Sequence, residues 1–320
     1  MELNKARTLV QRMIPPLTHS FRKGQHGRVG VVGGSFEYTG APYYAGIAAL
    51  KTGADLAHIF CTREAAIPIK SYSPELIVHP LLPSDASIAA DSPQDSESAI
   101  DRSVKRIAEV FPRIDTLVFG PGLGRDRAVQ TATSRLIAHA KEAQLVIVLD
   151  GDALFFASLE PSLINGYDRI ILTPNAMEYA RLCAAVKLTD APDPVLAASI
   201  CPKLLSNALG SPVVVRKGRQ DVLSDGRNVI EVDAKSSPRR CGGQGDVLAG
   251  SIATFGAWVQ STQLADVGFE GNPLLLAALG GALVTRASSL RAFQRHGRSM
   301  TAPDVLASVG EGFQDVFPEI

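Results

Sequence analysis

The sequence predicts an α/β fold of three layers, in which helices cover both faces of a mainly parallel central sheet, without a separate lid domain. Short apolar segments alternate with helical segments from the first apolar strand, Gly27–Gly34, onward. Strand–helix–strand order of this kind gives parallel strands joined by right-handed crossovers. The composition, 46% hydrophobic but only 6% aromatic, indicates an interior rich in Ala, Val and Leu. Because α/β layers of 320 residues often form one domain, and the alternation resumes after the polar segment Pro83–Ser98, we expect a single domain over residues 1–320.

Charge and composition exclude several classes of function. The 32 basic and 32 acidic residues balance to a net charge of zero, which argues against nucleic acid or an anionic membrane as a partner. We expect no apolar run long enough to span a membrane. The four cysteines are far apart and form no CxxC pair, as in a cytoplasmic protein with reduced thiols and neither a zinc site nor a disulfide. Small-molecule partners are therefore expected, and a homo-oligomer is compatible with the sequence.

The first βαβ unit follows a short amphipathic start. The segment MELNKARTLVQRM, which ends before Pro15 and Pro16, favours a short leading helix over a cleaved targeting peptide. The strand Gly27–Gly34, the helix Ala41–Gly53 and the strand Asp55–Cys61 form the unit itself. A dinucleotide-binding Rossmann unit is an alternative, but the glycines lack G-x-G-x-x-G spacing and no acid clearly ends the second strand. The glycines could also serve only to pack strand against helix.

A glycine loop follows the next predicted strand. The polar segment Pro83–Ser98 is expected to be a surface loop. The strand Asp115–Phe119 then leads into Gly120–Gly124, with the sequence GPGLG, before a helix that begins near Arg127. Ligands of open α/β sheets bind beyond the carboxyl ends of the strands. This loop is therefore either a turn or part of a binding site.

Two acids follow the strand Leu145–Leu149. Asp150 and Asp152 could bind Mg²⁺ or orient a substrate hydroxyl. They could equally cap the helix that opens at Ala153.

An Asn-x-x-Glu pattern follows the strand Arg169–Leu172. Asn175 and Glu178 have the spacing of a reciprocal helix cap. The local sequence alone favours this structural role.

The β-branched strand Val213–Arg216 delivers Lys217 to a strand end. A lone lysine there is usually a solvated surface charge. Val222–Val232, with Asp-Gly at its centre, predicts a β-hairpin. Further helices are predicted over Pro273–Leu290 and from Ala302 onward.

The segment Arg239–Gly250, RRCGGQGDVLAG, places arginines, glycines and one acid directly before an apolar helix. Gly242, Gly243 and Gly245 allow a tight turn and a close approach to a ligand. A glycine-rich entry into a helix leaves N–H groups free at the positive end of its dipole, which suits an anion. Asp246 lies in this first turn, where an acid often only stabilises the helix.

The segment GGQGDVLAG resembles the signature of the ribokinase-like superfamily, in which a glycine-rich anion hole precedes a catalytic aspartate. From about Phe21 to about Asp304, the order and spacing of several motifs resemble the nucleotide-dependent NAD(P)H-hydrate dehydratases, which repair hydrated nicotinamide cofactors. The stretch GRVGVVGGS with the following GAPYYAG is similar to the opening signature of that family. Many relatives carry Thr or Ala where this chain has Gln244, and the CGGQGD form resembles the eukaryotic, ATP-using branch.

The resemblance implies two adjoining sites. The hydrated substrate is expected at Gly122, Gly124, Asn175, Ala176, Met177, Glu178, Tyr179, Ala180, Arg181 and Asp246. ATP is expected at Lys217, Gly218, Arg219, Gln220, Asp221, Ser236, Ser237, Pro238, Arg239, Arg240, Cys241, Gly242, Gly243, Gln244 and Gly245. Mg²⁺ is expected with ATP, and its protein ligands stay unassigned apart from an indirect part for Glu178.

The implied reaction is phosphorylation followed by elimination. Phosphorylating the ring hydroxyl from ATP creates a good leaving group, and loss of phosphate restores NADH or NADPH. Asp246 would be the base, and the N–H groups of Gly243, Gln244 and Gly245 would cradle the moving oxygens. The helix N-terminus is expected to lower the pKa of Asp246; a weak base suffices if the proton leaves late in a loose transition state.

Two other functions use the same features. A vitamin or thiazole kinase of the same superfamily would stop at the phosphorylated product, but the GPGLG and TPNAMEYAR segments favour the repair enzyme. A catalytically silent nucleotide-binding protein is the other alternative. Retention of Asp246 in an intact glycine loop weighs against it.

Overall fold

The computed structural model describes residues 1–91, 95–261 and 268–318, and their strands form one nine-stranded sheet. The strands are β1 Arg28–Val32, β2 Leu56–Thr62, β3 Leu76–Leu82, β4 Thr116–Phe119, β5 Val146–Leu149, β6 Ile170–Leu172, β7 Val213–Arg216, β8 Asp221–Ser224 and β9 Val229–Val232. Their spatial order is β3-β2-β1-β4-β5-β6-β7-β8-β9. The pairs from β3 to β7 are parallel, and β7-β8 and β8-β9 are antiparallel. The predicted hairpin is thus confirmed as β8 and β9.

Helices pack on both faces of this sheet. They are α1 Leu3–Gln11, α2 Gly40–Thr52, α3 Arg63–Tyr72, α4 Asp85–Asp91, α5 Ser96–Ala108, α6 Arg127–Glu142, α7 Asp152–Leu159, α8 Ala176–Ala185, α9 Pro194–Ala198, α10 Pro202–Ala208, α11 Gln244–Ser261, α12 Leu274–His296, α13 Ala302–Ala307 and α14 Val309–Val316. Successive strand residues point to opposite faces. Accordingly, Val146 and Val148 lie in one apolar cluster, whereas Ile147 and Leu149 lie in the other. Two cores with a sheet between them confirm the three-layer α/β/α prediction.

The prediction of a surface loop over Pro83–Ser98 is wrong. The segment contains α4 and the start of α5, while residues 92–94 lie outside the described part of the chain. Asp95 caps α5 by accepting a hydrogen bond from the N–H of Ser98. The apolar residues of α5 that face the core, Ile100, Val104 and Ile107, recur at helical spacing beyond the polar stretch. The Ser and Asp residues that the structure describes in Pro83–Ser98 therefore belong to the ends and exposed faces of α4 and α5.

Helix α12 is longer than predicted. It also corrects the expectation that no apolar run is long enough to span a membrane. With the short 3₁₀ turn that follows it, this helix is long and apolar enough to cross a membrane by length and composition. Its most apolar window, however, is 83% buried inside the molecule. It packs against α11 and contributes Leu275, Leu276 and Leu279 to the core. This is the environment of a core helix. The predicted final helix from Ala302 is two short helices, α13 and α14.

The topology gathers the predicted site residues at one edge of the sheet. Gly120, Asp150, Thr173 and Lys217 each follow the last residue of a parallel strand. Because these strands run in the same direction, their carboxyl ends share one edge. The N-terminus of α11 reaches this edge, since Gly245 lies against Asp150 and Lys217.

Candidate active site

The glycines just before α11 and in its first turn have distinct roles. Gly243 has φ of +92°, and a Cβ there would lie 2.6 Å from the Cβ of Ala302. Both the backbone angle and the lack of space require glycine. A Cβ on Gly245 would lie 3.3 Å from both Asp150 Oδ2 and Lys217 Nζ, so this glycine lets the first turn of α11 lie close to these two side chains. A Cβ on Gly242 would meet no atom within 4 Å, and the φ of this residue is not positive.

Lys217 lies among the acids of the site. Its Nζ is 2.7 Å from Asp150 Oδ1 and 3.9 Å from Glu178 Oε2. Its side chain is 21% exposed, and these carboxylates, together with Asp246, raise its pKa against the opposing effect of burial. The solvated strand-end alternative for this lysine is therefore wrong.

Asp246 has a pKa well above the ordinary value of 3.8. Burial is the largest cause, and repulsion from Asp150 adds to it, while Lys217 acts in the opposite direction. The expected lowering by the helix N-terminus is thus outweighed. A carboxylate with a raised pKa is a stronger base. The mechanism therefore does not depend on late loss of the hydroxyl proton, which a weak base would require.

The two acids after β5 do not cap α7. Asp150 accepts hydrogen bonds from Thr173 Oγ1 and from Lys217 Nζ, both at 2.7 Å. Asp152 Oδ2 accepts from the N–H of Gly124 at 2.9 Å, and the N-cap residue of α7 is Gly151, without a side-chain cap bond. Burial raises the pKa of Asp152. The capping alternative is wrong, and these acids instead connect the loops of four neighbouring strands.

The predicted reciprocal cap at the start of α8 is confirmed. Asn175 Oδ1 accepts from the N–H groups of Met177 and Glu178, and Glu178 Oε2 accepts from the N–H of Asn175. The same Glu178 oxygen faces Lys217, so the cap and the site share this carboxylate. Burial raises the pKa of Glu178.

The other predicted substrate residues of α8 divide into two groups. The side chains of Tyr179 and Ala180 are buried in the core, and Tyr179 Oη donates to the carbonyl of Ile200. Their side chains therefore point away from the site. Ala176 and Met177 are exposed, and the Arg181 guanidinium lies 5.8 Å from the centre of the Phe155 ring.

Gly122 and Gly124 have positive φ of +63° and +71°. A Cβ on Gly122 would lie 2.8 Å from the Cβ of Tyr38, and one on Gly124 would lie 3.2 Å from Ser35 Oγ. The β4 loop thus packs closely on the loop after β1. Through Asp152 it is also tied to the acids beside Asp246.

A cavity of about 90 Å³ lies at the N-terminus of α11, between the β7–β8 turn and α12. Predicted ATP residues that line it are Lys217, Gly218, Asp221, Ser236, Arg240, Gln244 and Gly245. The structure thus brings together segments that are far apart in sequence. Gln220 instead lines a separate groove near Met1 and Glu2. Ser237 is buried, and its Oγ accepts from the N–H of Arg239, which shapes the loop before the glycines. The side chain of Gln244 donates to the carbonyl of Arg239 and contacts Cys241 Sγ.

Arg286 is a site residue that the sequence prediction missed. It is 8% exposed, and its Nη1 lies 2.9 Å from Asp221 Oδ2. It also donates to the carbonyls of Arg219 and Ala234. One guanidinium therefore fixes the β7–β8 turn and the segment leading to the glycine loop. A lone arginine within the apolar run of α12 was the available signal, because buried charges are almost always paired.

Solved structures define the class of fold. A ribokinase-like superfamily protein from Enterococcus faecalis superposes with a TM-score of 0.73 at 18% identity, covering 97% of this chain and 94% of that one. An ADP/ATP-dependent NAD(P)H-hydrate dehydratase from Bacillus subtilis, co-crystallised with ATP and Mg²⁺, superposes with a TM-score of 0.68 at 18% identity over 97% of each chain. At this identity the likeness concerns the fold alone, and it confirms the ribokinase-like prediction.

Sequence similarity defines the family. The family model described as NAD(P)H-hydrate dehydratase matches residues 29–310. The ATP-dependent (S)-NAD(P)H-hydrate dehydratase of Bos taurus is 44% identical over 309 residues, which cover 97% of this chain and 88% of that protein. The chain belongs to the NAD(P)H-hydrate dehydratase family.

Proposed function

We propose that this chain catalyses the ATP-dependent dehydration of the S-epimer of hydrated NADH or NADPH, with release of ADP and phosphate. The observation that carries the proposal is the cavity at the N-terminus of α11, which is lined by basic and backbone groups up to Gly245, next to the half-buried residue Asp246, whose pKa is raised. Family membership and the name of the bovine relative support the same reaction.

The phosphates of ATP would lie at the helix end. The first-turn N–H groups of Gln244 and Gly245, with Lys217 and Arg240, supply positive charge to the transferring oxygens. Phosphoryl transfer depends mainly on such charge and on alignment of the attacking hydroxyl. Lys217, which donates a hydrogen bond to Asp150, would shift part of its interaction to ATP.

The oxygen of the ring hydroxyl would attack the γ-phosphorus of ATP while the bond from that phosphorus to ADP breaks. Asp246 would accept the proton of this hydroxyl during the attack. In the second step the ring C–O bond breaks, phosphate leaves with the bonding electrons, and the adjacent carbon loses a proton. The ring double bond is thereby restored. Gly124, Asn175 at the start of α8 and Arg181 in the middle of α8 would hold the substrate above the strand ends.

Mg²⁺ would accompany ATP, and the residues present fit that role indirectly. Among the residues that the structure describes, no group of three His, Cys, Asp or Glu side chains could hold a metal ion. Mg²⁺ commonly binds through substrate phosphates and water with only one or two carboxylates. Glu178, beside Lys217, would supply such a carboxylate through water. The bound ion would neutralise charge on the phosphates.

A stoichiometric assay tests the proposal. Protein, ATP and Mg²⁺ are added to hydrated NADH, and NADH, ADP and phosphate are measured over time. We expect equal amounts of the three products. A stable phosphorylated product from a vitamin-like alcohol, with no response to hydrated NADH, would identify a kinase instead. ATP binding without consumption of any substrate would identify a silent nucleotide-binding protein.

The domain bounds and the cellular location of the protein stay predictions. The single sheet that includes all described strands supports one domain over residues 1–320. We propose a cytoplasmic location on the basis of the thiol and charge composition.

A further inference from the structure

A second cavity, of about 380 Å³, lies at the same edge of the sheet, and the end of the β4 loop forms part of its wall. It is bounded by the loop after β1, the start of α3, the start of α4 and the end of the β4 loop. The residues that matter most are Ser35, Thr62, Glu64, Ser84, Gly124 and Arg125. Gly124, which was predicted from the sequence as a substrate residue, is therefore part of its wall.

Several side chains with unpartnered polar atoms belong to residues that line this cavity. Among the described residues, six buried side-chain polar atoms lack a hydrogen-bond partner, and three of them belong to Ser35, Thr62 and Glu64. The Ser35 and Thr62 side chains are more than nine-tenths buried. Leaving such groups unpaired is costly, so they are normally satisfied. Three such atoms on residues that line one cavity point to a ligand that supplies their partners.

The arrangement of Glu64 shows which chemistry the cavity recognises. Glu64 Oε1 accepts a hydrogen bond from Ser84 Oγ at 3.2 Å, while the buried Oε2 lacks a partner. An ionised carboxylate only accepts hydrogen bonds, whereas the hydroxyls of Ser35 and Thr62 can donate or accept. Glu37 and Asp126 also line the cavity, opposed by the cation of Arg125. This balance disfavours a phosphate and favours a neutral group with several hydroxyls.

The cavity adjoins the reaction centre. The N–H of Gly124 donates to Asp152, whose charge acts on Asp246, and a Cβ on Gly124 would lie 3.2 Å from Ser35 Oγ. A dinucleotide bound with its nicotinamide ring at Asp246 would place other parts of the molecule near this wall. Acids commonly recognise the hydroxyls of a nucleotide ribose in α/β proteins.

We infer that this cavity is a ribose subsite, in which Glu64 and Thr62 bind the hydroxyls of one ribose of the hydrated cofactor. The inference rests on the proposed function for the identity of the substrate. Glu64 would accept from a ribose hydroxyl, and Thr62 and Ser35 would complete the hydrogen bonds of the diol. These residues would set substrate affinity without taking part in phosphoryl transfer.

Isosteric variants test the subsite. In Thr62→Val and Glu64→Gln we expect the KM for hydrated NADH to rise by about 3- to 10-fold and about 10- to 100-fold respectively, with kcat and the KM for ATP nearly unchanged. Thr133→Val is the matched control, because Thr133 also carries a buried unpartnered hydroxyl but does not line the cavity. Its KM should equal that of the parent. Folded Thr62→Val and Glu64→Gln proteins with parental KM would overturn the inference.

A shortened substrate distinguishes the two riboses. Hydrated reduced nicotinamide mononucleotide carries only the ribose next to the nicotinamide. If that ribose occupies the cavity, the variants raise KM for both substrates. If the adenosine ribose does so, only the KM for hydrated NADH rises.

Direct binding separates failure of the subsite from failure of the proposed function. NADH carries the same two riboses as its hydrate, so its affinity can be measured by calorimetry without turnover. Weaker binding of NADH to Thr62→Val than to Thr133→Val supports the subsite whatever reaction the parent performs. Equal binding to the parent and both cavity variants contradicts it. A parent that binds NADH but does not dehydrate the hydrate contradicts only the proposed function.

Discussion

Lys217 donates a hydrogen bond to Asp150 across 2.7 Å, and this pair lies directly beneath Gly245 in the first turn of α11. The lysine lies close to Asp150, Glu178 and Asp246, whose charges all act on it. The pair therefore connects the strand end after β5 to the predicted phosphate site. The two roles of Lys217, neutralising the acids and binding ATP, can be separated by mutation.

Replacing Lys217 should weaken both ATP binding and the fold. In Lys217→Met we expect ATP affinity to fall by about 1–3 kcal/mol, as for loss of a charge-assisted hydrogen bond. The free energy of unfolding should fall by a similar amount, about 1–3 kcal/mol, because Asp150 loses its partner in a largely buried site. Calorimetry with ATP and urea unfolding measure the two effects.

The double variant Lys217→Met with Asp150→Asn is the control for Lys217→Met. It should recover stability without recovering ATP affinity. Parental ATP affinity in folded Lys217→Met would show that this lysine does not contact the nucleotide.

Asp246→Asn should stabilise the protein at neutral pH. The folded-state pKa of Asp246 lies above the ordinary 3.8 because the charged form is buried near Asp150. Its ionisation therefore costs stability as the pH rises from about 4 through that raised pKa. Asparagine removes this cost, so the variant should have a higher Tm than the parent at pH 7 and a similar Tm near pH 4. A variant that is less stable by about 0.3–1 kcal/mol at pH 7 would indicate a simple helix-stabilising acid.

Arg286 should control ATP binding from outside the glycine loop. Arg286→Met leaves Asp221 buried without its cation and frees the carbonyls of Arg219 and Ala234. We expect destabilisation by about 3–5 kcal/mol and a raised KM for ATP. The double variant Arg286→Met with Asp221→Asn should recover part of the stability. Unchanged stability and KM in the single variant would exclude a role in shaping the cavity.

Neighbouring glycines provide a matched pair. Gly243→Ala forces a left-handed backbone angle on alanine and places its Cβ 2.6 Å from Ala302, so activity should fall by about tenfold or more and Tm should drop. Gly242→Ala has open space and no such angle, and should behave like the parent. Equal effects in the two variants, measured by turnover and thermal melting, would contradict the loop conformation.

The sequence was sufficient to predict the layers, because the central strands are short apolar runs, and Asp150 and Lys217 directly follow two of them. It was also sufficient for the cap at Asn175 and Glu178, whose partners lie three residues apart. The α4 and α5 helices were missed because polar residues obscured their short apolar faces. Arg286 was missed because its partner Asp221 is 65 residues away, a distance that only the fold brings to 2.9 Å.

The pKa of Asp246 was predicted in the wrong direction for a related reason. The helix dipole is visible in local sequence, since Asp246 lies in the first turn of α11. Burial and the charge of Asp150 are not, because Asp150 lies on a different strand end. In the folded protein these long-range effects are larger than the local one.

In the proposed mechanism, Asp246 accepts the hydroxyl proton during phosphoryl transfer from ATP. The most direct test is the turnover of hydrated NADH by folded Asp246→Asn protein at saturating ATP and Mg²⁺, with ATP affinity measured in parallel. We expect turnover about 10²- to 10⁴-fold below that of the parent, with ATP affinity preserved or slightly increased. Turnover near the parental rate would show that Asp246 is not the base.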